Sequence, residues 1–214
     1  IEFLKPYKVG VDSVNAHVIG TSAYDMKSSV RVGGMPNMTA DFGYWYGNAK
    51  ADSLRGAGVD VPRVDMSIMN VGGIRQDMPA GDITEGQILS TYPFSNHFLI
   101  VAIKGKDIID ALAVGAKKGG EAVSENVRVV TDGGGNLLRV VIDGEEMDPG
   151  KTYYLGTIDY VAEGNDDLRT LANHEKIWVD DEEVSVPILR WFMRQAELGL
   201  PVAPSQASRF VKSI

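Results

Sequence analysis

Cysteine is absent from all 214 residues, which excludes disulfides, thiolate metal sites and cysteine nucleophiles. The Gly-x-Ser-x-Gly elbow of nucleophilic serines and the phosphate-binding P-loop are missing as well. Histidine is scarce, and no ligand-like spacing to an acidic partner is found for His17, His97 or His174. The sequence therefore predicts no catalytic residue and no metal site in this chain.

Long hydrophobic runs and clusters of basic residues are also missing. No stretch approaches the roughly 18 apolar residues of a membrane-spanning helix, and no signal peptide is visible, so no membrane span is predicted. The 29 acidic and 21 basic residues give a net charge of −8, which argues against binding of DNA or RNA polymers. A small anionic ligand is still compatible, because one or two cations in a cleft act at short range.

The elements that the sequence predicts are of mixed type. The chain is long enough to bury a full core, and we interpret it as a single domain over residues 1–214, with one domain plus an appended arm as the alternative. Hydrophobic periodicity and turn residues predict a loop over 33–37, helices over 39–54, 85–92, 108–119 and from Ser185, strands over 14–19, 97–103, 153–158 and 207–214, and a hairpin of 127–131 with 137–142. Because helices and hairpins mix without βαβ alternation, the fold class is predicted to be α+β.

Recognition groups concentrate between Asn70 and Asn96. A strand-like run over 64–69 leads into Gly72-Gly73, which allow unusual backbone angles and close approach of a ligand to the main chain. Arg75 follows, and its planar guanidinium suits phosphate or carboxylate, while Phe94 offers a flat face for a nucleobase. The combination indicates a nucleotide site. The structural alternatives are an ion pair that pins the loop for Arg75 and core packing for Phe94.

A second candidate segment follows the predicted strand 153–158. It holds Tyr160 and an acidic turn whose carboxylates are Asp159, Glu163, Asp166 and Asp167. Three roles are open for these carboxylates: binding of a divalent cation, binding of a hydroxyl-bearing ligand, and simple solvation at the surface. Their spacing is not that of an EF-hand loop. Tyr160 is either a ligand contact or the inward-packed end of a strand. Its place on a loop directly after a strand favours a site, because binding residues commonly lie there.

Several of these motifs resemble the C-terminal, substrate-binding domain of the 5′-nucleotidase family. They are Gly47-Asn48, Asn-Val-Gly-Gly-Ile-Arg at 70–75, Pro-Phe-Ser-Asn at 93–96, Lys-Gly-Lys-Asp at 104–107 and the segment 160–166. Their order and spacing agree over nearly the whole chain. The resemblance implies mixed and antiparallel sheets layered with helices.

The resemblance also assigns roles to residues of this chain. It implies that Phe94 and Tyr160 sandwich the nucleobase, that Arg75 binds the anionic end of the nucleotide, and that Asp166 binds the ribose. Asn70 maps to the asparagine near the base. The substrate-binding set implied in this way is Asn70, Gly72, Gly73, Arg75, Phe94, Asn96, Tyr160 and Asp166.

Two positions depart from the family pattern. An arginine expected seven residues before Gly47 is Ala40 here, and the family's Gly-Gly-Asp-Gly turn reads Gly164-Asn165-Asp166-Asp167. A phosphate-directed charge is lost at the first position, and a negative charge is gained beside the ribose site at the second. We expect a changed affinity or substrate range. The alternative function is a divergent, non-catalytic binding or interaction module that kept the fold but lost nucleotide specificity.

The resemblance further implies a division of labour. The family's N-terminal metallophosphatase domain, with its pair of divalent metal ions, has no counterpart in this sequence. The chain alone is therefore predicted to be inactive, with no cofactor of its own and a metallophosphatase domain or separate chain as partner. Full family members are generally exported, so the resemblance suggests the periplasm or the cell surface.

Overall fold

A computed structural model describes residues 13–213 and shows an α+β fold, as predicted. The helices with defined bounds are α1 Gly34–Gly56, α2 Glu85–Thr91, α3 Gly105–Lys117, α4 Asp159–Ala162 and α5 Ser185–Glu197, with 3-10 turns at Val71–Gly73 and Arg169–Ala172. The strands are β1 Val18–Ser22, β2 Met66–Met69, β3 Gly81–Thr84, β4 His97–Lys104, β5 Ala122–Val123, β6 Val127–Thr131, β7 Leu137–Ile142, β8 Glu145–Glu146, β9 Thr152–Ile158, β10 Glu175–Glu183 and β11 Phe210–Lys212.

The central sheet has five strands in the order β10-β4-β9-β2-β5. β2 and β9 are parallel, so their carboxyl ends lie at the same edge. β4 is antiparallel to β9, and Phe98 pairs with Ile158, so β4 begins at that edge. Three chain segments, those that follow β2 and β9 and the one that precedes β4, are thereby brought together at one edge of the sheet.

Two smaller sheets complete the fold. The predicted hairpin forms β6 and β7 of a four-stranded sheet ordered β11-β6-β7-β8, in which β11 joins β6 in parallel. The other sheet is a ribbon of β1 and β3. The sheets are therefore mixed and antiparallel, as the family resemblance implies. No helix within residues 13–213 combines the length and apolar character needed to cross a membrane.

α1 packs closely on the central sheet because small residues lie between them. A Cβ atom on Gly47 would lie 2.7 Å from the Val64 side chain, and one on Gly156 would lie 2.9 Å from the Phe98 ring. The neighbouring Asn48 accepts a hydrogen bond from the Val64 N–H at 3.0 Å. Gly47-Asn48 thus fixes the segment that leads into β2, which in turn ends just before Asn70.

Some predicted elements differ from the structure. Residues 13–16 are helical and β1 begins at Val18, so the strand predicted over 14–19 is mostly wrong. The loop predicted over 33–37 largely belongs to α1, whose first turn contains Pro36, and proline is tolerated there because the first N–H groups have no helical partner. The sequence does not predict β10, because most of its residues are acidic or basic and the alternation of apolar and polar residues typical of a strand is missing.

Arg209 fixes the segment before β11 to α1. Its side chain donates two hydrogen bonds to the carboxylate of Asp41, at 2.7 and 2.6 Å, and one to the Val123 carbonyl at 2.6 Å. Burial raises the pKa of Asp41, and the bonds from Arg209 oppose that shift. Losing the guanidinium would leave a poorly solvated carboxylate without its partner.

We expect Arg209→Met to lower the free energy of unfolding by about 3 kcal/mol, because the buried member of a largely buried pair is removed. Urea denaturation at neutral pH measures this. The control is Arg190→Met, since Arg190 also makes two bonds of 2.6 Å to one carboxylate, that of Glu182, but on the surface. The control should cost under about 1 kcal/mol. Equal losses in the two variants would contradict a special role for the buried pair.

Candidate functional site

An open cleft of about 240 Å³ lies at the edge of the central sheet where the three segments meet. Its lining residues are Asn70, Gly72, Arg75, Phe94, Asn96, Tyr160 and Asp166. The eighth predicted residue, Gly73, instead lines a neighbouring cavity of about 20 Å³, to which Phe94 also contributes, enough for about one water molecule. Residues up to 96 positions apart in the chain are therefore neighbours here.

Asp166 is the polar centre of the cleft. One carboxylate oxygen accepts a hydrogen bond from the Asn70 side-chain amide at 2.9 Å, and the other accepts one from the Tyr160 hydroxyl at 3.2 Å. The charge of Asp166 raises the pKa of the Tyr160 phenol, which therefore keeps its proton and acts as the donor. Each carboxylate oxygen has a further lone pair, so the group can still accept bonds from ligand hydroxyls.

The glycine pair is explained by close packing rather than by unusual backbone angles. Neither Gly72 nor Gly73 is among the residues with positive φ, in contrast to the predicted use of their backbone freedom. A Cβ atom on Gly73 would lie 2.7 Å from the Asn70 side-chain oxygen, and one on Gly72 would lie 3.2 Å from the Asp166 carboxylate. The two glycines leave room for the bond between Asn70 and Asp166.

The two aromatic residues of the cleft are exposed. Phe94 is 46% and Tyr160 38% accessible to solvent, which contradicts core packing for either ring. Asp159 joins the start of β4 to the segment after β9, because its carboxylate accepts bonds from the N–H of His97 at 3.1 Å and from that of Tyr160 at 2.7 Å. Both aromatic side chains line the same cleft as the Asp166 carboxylate.

Arg75 supplies a cation to the cleft. Its backbone N–H donates to the Thr91 carbonyl at 2.9 Å, which joins the glycine loop to the end of α2. Its guanidinium carbon lies 5.8 Å from the centre of the Phe94 ring, and one nitrogen donates to the Gly72 carbonyl at 3.4 Å. No ion pair to a carboxylate holds it within residues 13–213, so most of its donors are available to an anion.

Two charged residues, one buried and one half-buried, stabilise the site, although the sequence does not identify them. The Glu121 carboxylate accepts a bond from the Val71 N–H at 2.7 Å and pairs with Arg31 at 3.1 Å. Burial raises the pKa of Glu121, and the Val71 N–H and Arg31 oppose that shift. The glycine loop is therefore anchored by a charge pair whose members are distant from Val71 along the chain.

Among the residues that the structure describes, the cleft has neither a metal site nor a second cation in its lining. No group of three or more His, Asp or Glu side chains in that part of the chain could hold a metal ion. Ala40, where the family pattern has arginine, is fully buried in α1. The groups that line the cleft can therefore stack on a flat ring, accept hydrogen bonds from hydroxyl groups and bind one small anion.

Comparison with known proteins gives consistent results. Residues 18–173 match the sequence profile of the family described as "5′-nucleotidase, C-terminal domain". Protein UshA of Yersinia enterocolitica is 37% identical over 127 residues, which cover 56% of this chain and 23% of that protein. Protein UshA of Escherichia coli is 35% identical over 121 residues, or 55% of this chain and 22% of that protein. The match thus spans about a quarter of the length of these curated relatives.

The fold is also found in solved structures. A 5′-nucleotidase precursor from Thermus thermophilus aligns with 99% of this chain and 42% of its own, at a TM-score of 0.76 and 23% identity. A putative 5′-nucleotidase from Staphylococcus aureus aligns with 98% of this chain and 43% of its own, at a TM-score of 0.71 and 15% identity. At these identities the two alignments show a shared fold.

We expect Gly73→Ala to disrupt the cleft, because the added methyl group would overlap the Asn70 side chain. Overpacking of this kind costs about 1–3 kcal/mol. Urea denaturation measures the loss, and the side-chain amide signals of Asn70 in NMR spectra report whether its bond to Asp166 survives. Gly133→Ala is the control, since no described atom lies within 4 Å of a Cβ there. Unchanged Asn70 signals in Gly73→Ala would contradict the packing argument.

Proposed function

The chain belongs to the family of 5′-nucleotidase C-terminal domains, and from this and the cleft geometry we propose that it binds a nucleoside or nucleotide. The observation that carries the proposal is the joint exposure of Phe94 and Tyr160 on a cleft centred on Asp166. The two exposed rings, the guanidinium of Arg75 and the Asp166 carboxylate line one cleft, and concave sites with apolar walls and a few convergent polar groups are where small ligands usually bind.

The nucleobase lies between Phe94 and Tyr160 in this proposal. Two offset-stacked contacts need a gap of about 7 Å between the rings. Asp166 then accepts hydrogen bonds from the ribose hydroxyls, because an ionised carboxylate offers acceptors only. Asn70 holds Asp166 in place, and Asn96 lies at the edge of the base. Arg75 binds the anionic end of the ligand, and a single cation there predicts weak discrimination between a nucleotide and its nucleoside.

Bond cleavage belongs to another domain in this proposal. The described lining of the cleft holds no nucleophile-and-base pair, and a metallophosphatase domain, fused or separate, supplies the divalent metal pair and hydrolyses the phosphate ester. Residues 1–214 act as one substrate-recognition domain. We further propose an exported protein, in the periplasm or at the cell surface, in line with the family resemblance.

We expect Phe94→Ala and Tyr160→Ala each to weaken adenosine and AMP binding about tenfold or more, because a base stacked on an aromatic ring contributes about 1–3 kcal/mol. Isothermal titration calorimetry measures both affinities. Trp45→Ala is the control, because Trp45 is as exposed as Tyr160 and lies outside the cleft. Full affinity in the Phe94→Ala, Tyr160→Ala double variant would falsify the stacking arrangement.

The same titrations separate this function from the divergent module that lost nucleotide specificity. That alternative is motivated by Ala40 and by the altered turn Gly164-Asn165-Asp166-Asp167. It predicts no binding heat and no thermal shift with adenosine, AMP or a UDP-sugar, whereas the open cleft predicts binding.

The purified chain should release no phosphate from AMP in the presence of Mg²⁺, Mn²⁺ or Zn²⁺. A colorimetric phosphate assay at micromolar protein concentration tests this. The physical reason is the lack of metal ligands and of an activated nucleophile at the cleft within residues 13–213. The Phe94→Ala, Tyr160→Ala double variant is the control for contaminating phosphatases. Turnover that the double variant abolishes would contradict the assignment of hydrolysis to another domain.

A further inference from the structure

The turn that presents Asp166 has an unusual backbone. Asp166 and Asp167 are consecutive residues with φ of 56° and 63°, in the left-handed region where only glycine is free of steric cost. Asparagine and aspartate visit that region as single residues, so two in succession need support from the surrounding structure. The preceding Gly164, with φ of 83°, is the one position of this turn where glycine supplies the freedom.

Lys118 supplies this support. It follows the last residue of α3, and its ammonium group donates to the backbone carbonyl of Asp166 at 2.6 Å. The same group pairs with the carboxylate of Asp167 at 2.8 Å and lowers the pKa of that carboxyl group. One side chain therefore contacts both left-handed residues, 48 positions along the chain from Asp166.

We propose that Lys118 is a positioning residue for ribose recognition, which holds the 166–167 turn so that the Asp166 carboxylate faces the cleft. The inference rests on the proposed function. Lys118 holds the main chain of Asp166, and Asn70 and Tyr160 hold its carboxylate. The position of this hydrogen-bond acceptor is therefore fixed through both its backbone and its side chain. Lys118 is absent from the lining of the cleft, so it acts through Asp166 and does not contact the ligand.

The effect of Lys118 should be local. The Asp167 side chain is 63% exposed, and ion pairs at such surfaces contribute little to global stability. Loss of the ammonium group should therefore leave the melting temperature almost unchanged while the turn relaxes. A residue that merely stabilises the fold would show the opposite pattern.

The test compares two ligands that differ only in the ribose. Lys118→Met should weaken adenosine binding about tenfold, as expected for a misplaced charged hydrogen-bond acceptor, and leave 2′,3′-dideoxyadenosine, which lacks both ribose hydroxyls, unchanged. Calorimetry gives both affinities. Lys117→Met is the control, since Lys117 is adjacent but bonds Asn136 and the Gly134 carbonyl. Equal weakening of both ligands, or no weakening of either, overturns the proposal.

Rescue provides a second readout. Adding Asp167→Gly to Lys118→Met should restore adenosine affinity to within about threefold of the parent protein, because glycine adopts the left-handed conformation without support. Lys118→Arg, which keeps the charge, should retain most of the affinity. Failure of both rescues overturns the positioning role.

A measurement without ligand keeps the inference separate from the proposed function. The Leu168 N–H donates to the Asn165 carbonyl at 3.1 Å and closes the turn. Its hydrogen exchange should accelerate in Lys118→Met and stay unchanged in Lys117→Met. If the parent protein binds no nucleoside, the proposed function fails, and the Leu168 exchange rate then decides whether Lys118 holds the turn. Unchanged exchange in Lys118→Met refutes the inference whatever the ligand data show.

Discussion

The parallel pairing of β2 with β9 is the constraint on which the rest of the structure depends. Met66 pairs with Leu155 and Ser67 with Gly156, so both strands end at the same edge. Because β4 runs antiparallel beside β9, the segment that carries Phe94 enters at that edge as well. A shift of this register by one residue would turn the side chains of β2 to the other face and separate Asn70 from Asp166.

Close packing around these strands explains several of the glycines. Gly47 and Gly156 let α1 approach the sheet, and Gly73 lets the Asn70 side chain lie against the loop. Two glycines of the family motifs, Gly47 and Gly73, therefore have a packing role. A motif glycine near a site is not by itself evidence of contact with a ligand, and the reason for it must be found in the surrounding atoms.

The charged residues of the site fall into two groups, those that face the cleft and those that hold the loops around it. Asp166 and Arg75 face the cleft, whereas Glu121 with Arg31 and Lys118 lie behind it and hold the two loops. Glu121 and Lys118 both lie in the short segment after α3. This one segment therefore contacts both the Asn70 loop and the Asp166 turn. This arrangement limits how far the Asn70 loop and the Asp166 turn can move independently.

The sequence by itself determined the fold class, the family and most elements with strong periodicity or capping, such as α2 with its Thr84 capping box and the β6–β7 hairpin. Through the family motifs it also named the residues that line the cleft, together with Gly73, which lies outside that lining. Only the tertiary structure decided that Phe94 and Tyr160 are exposed on the cleft that Asp166 also lines, that Lys118 contacts the 166–167 turn, and that Glu121 bonds the Val71 N–H. The physical reason is that periodicity and capping are local, whereas these contacts join residues far apart in the chain, and only the pairing of the strands brings them together.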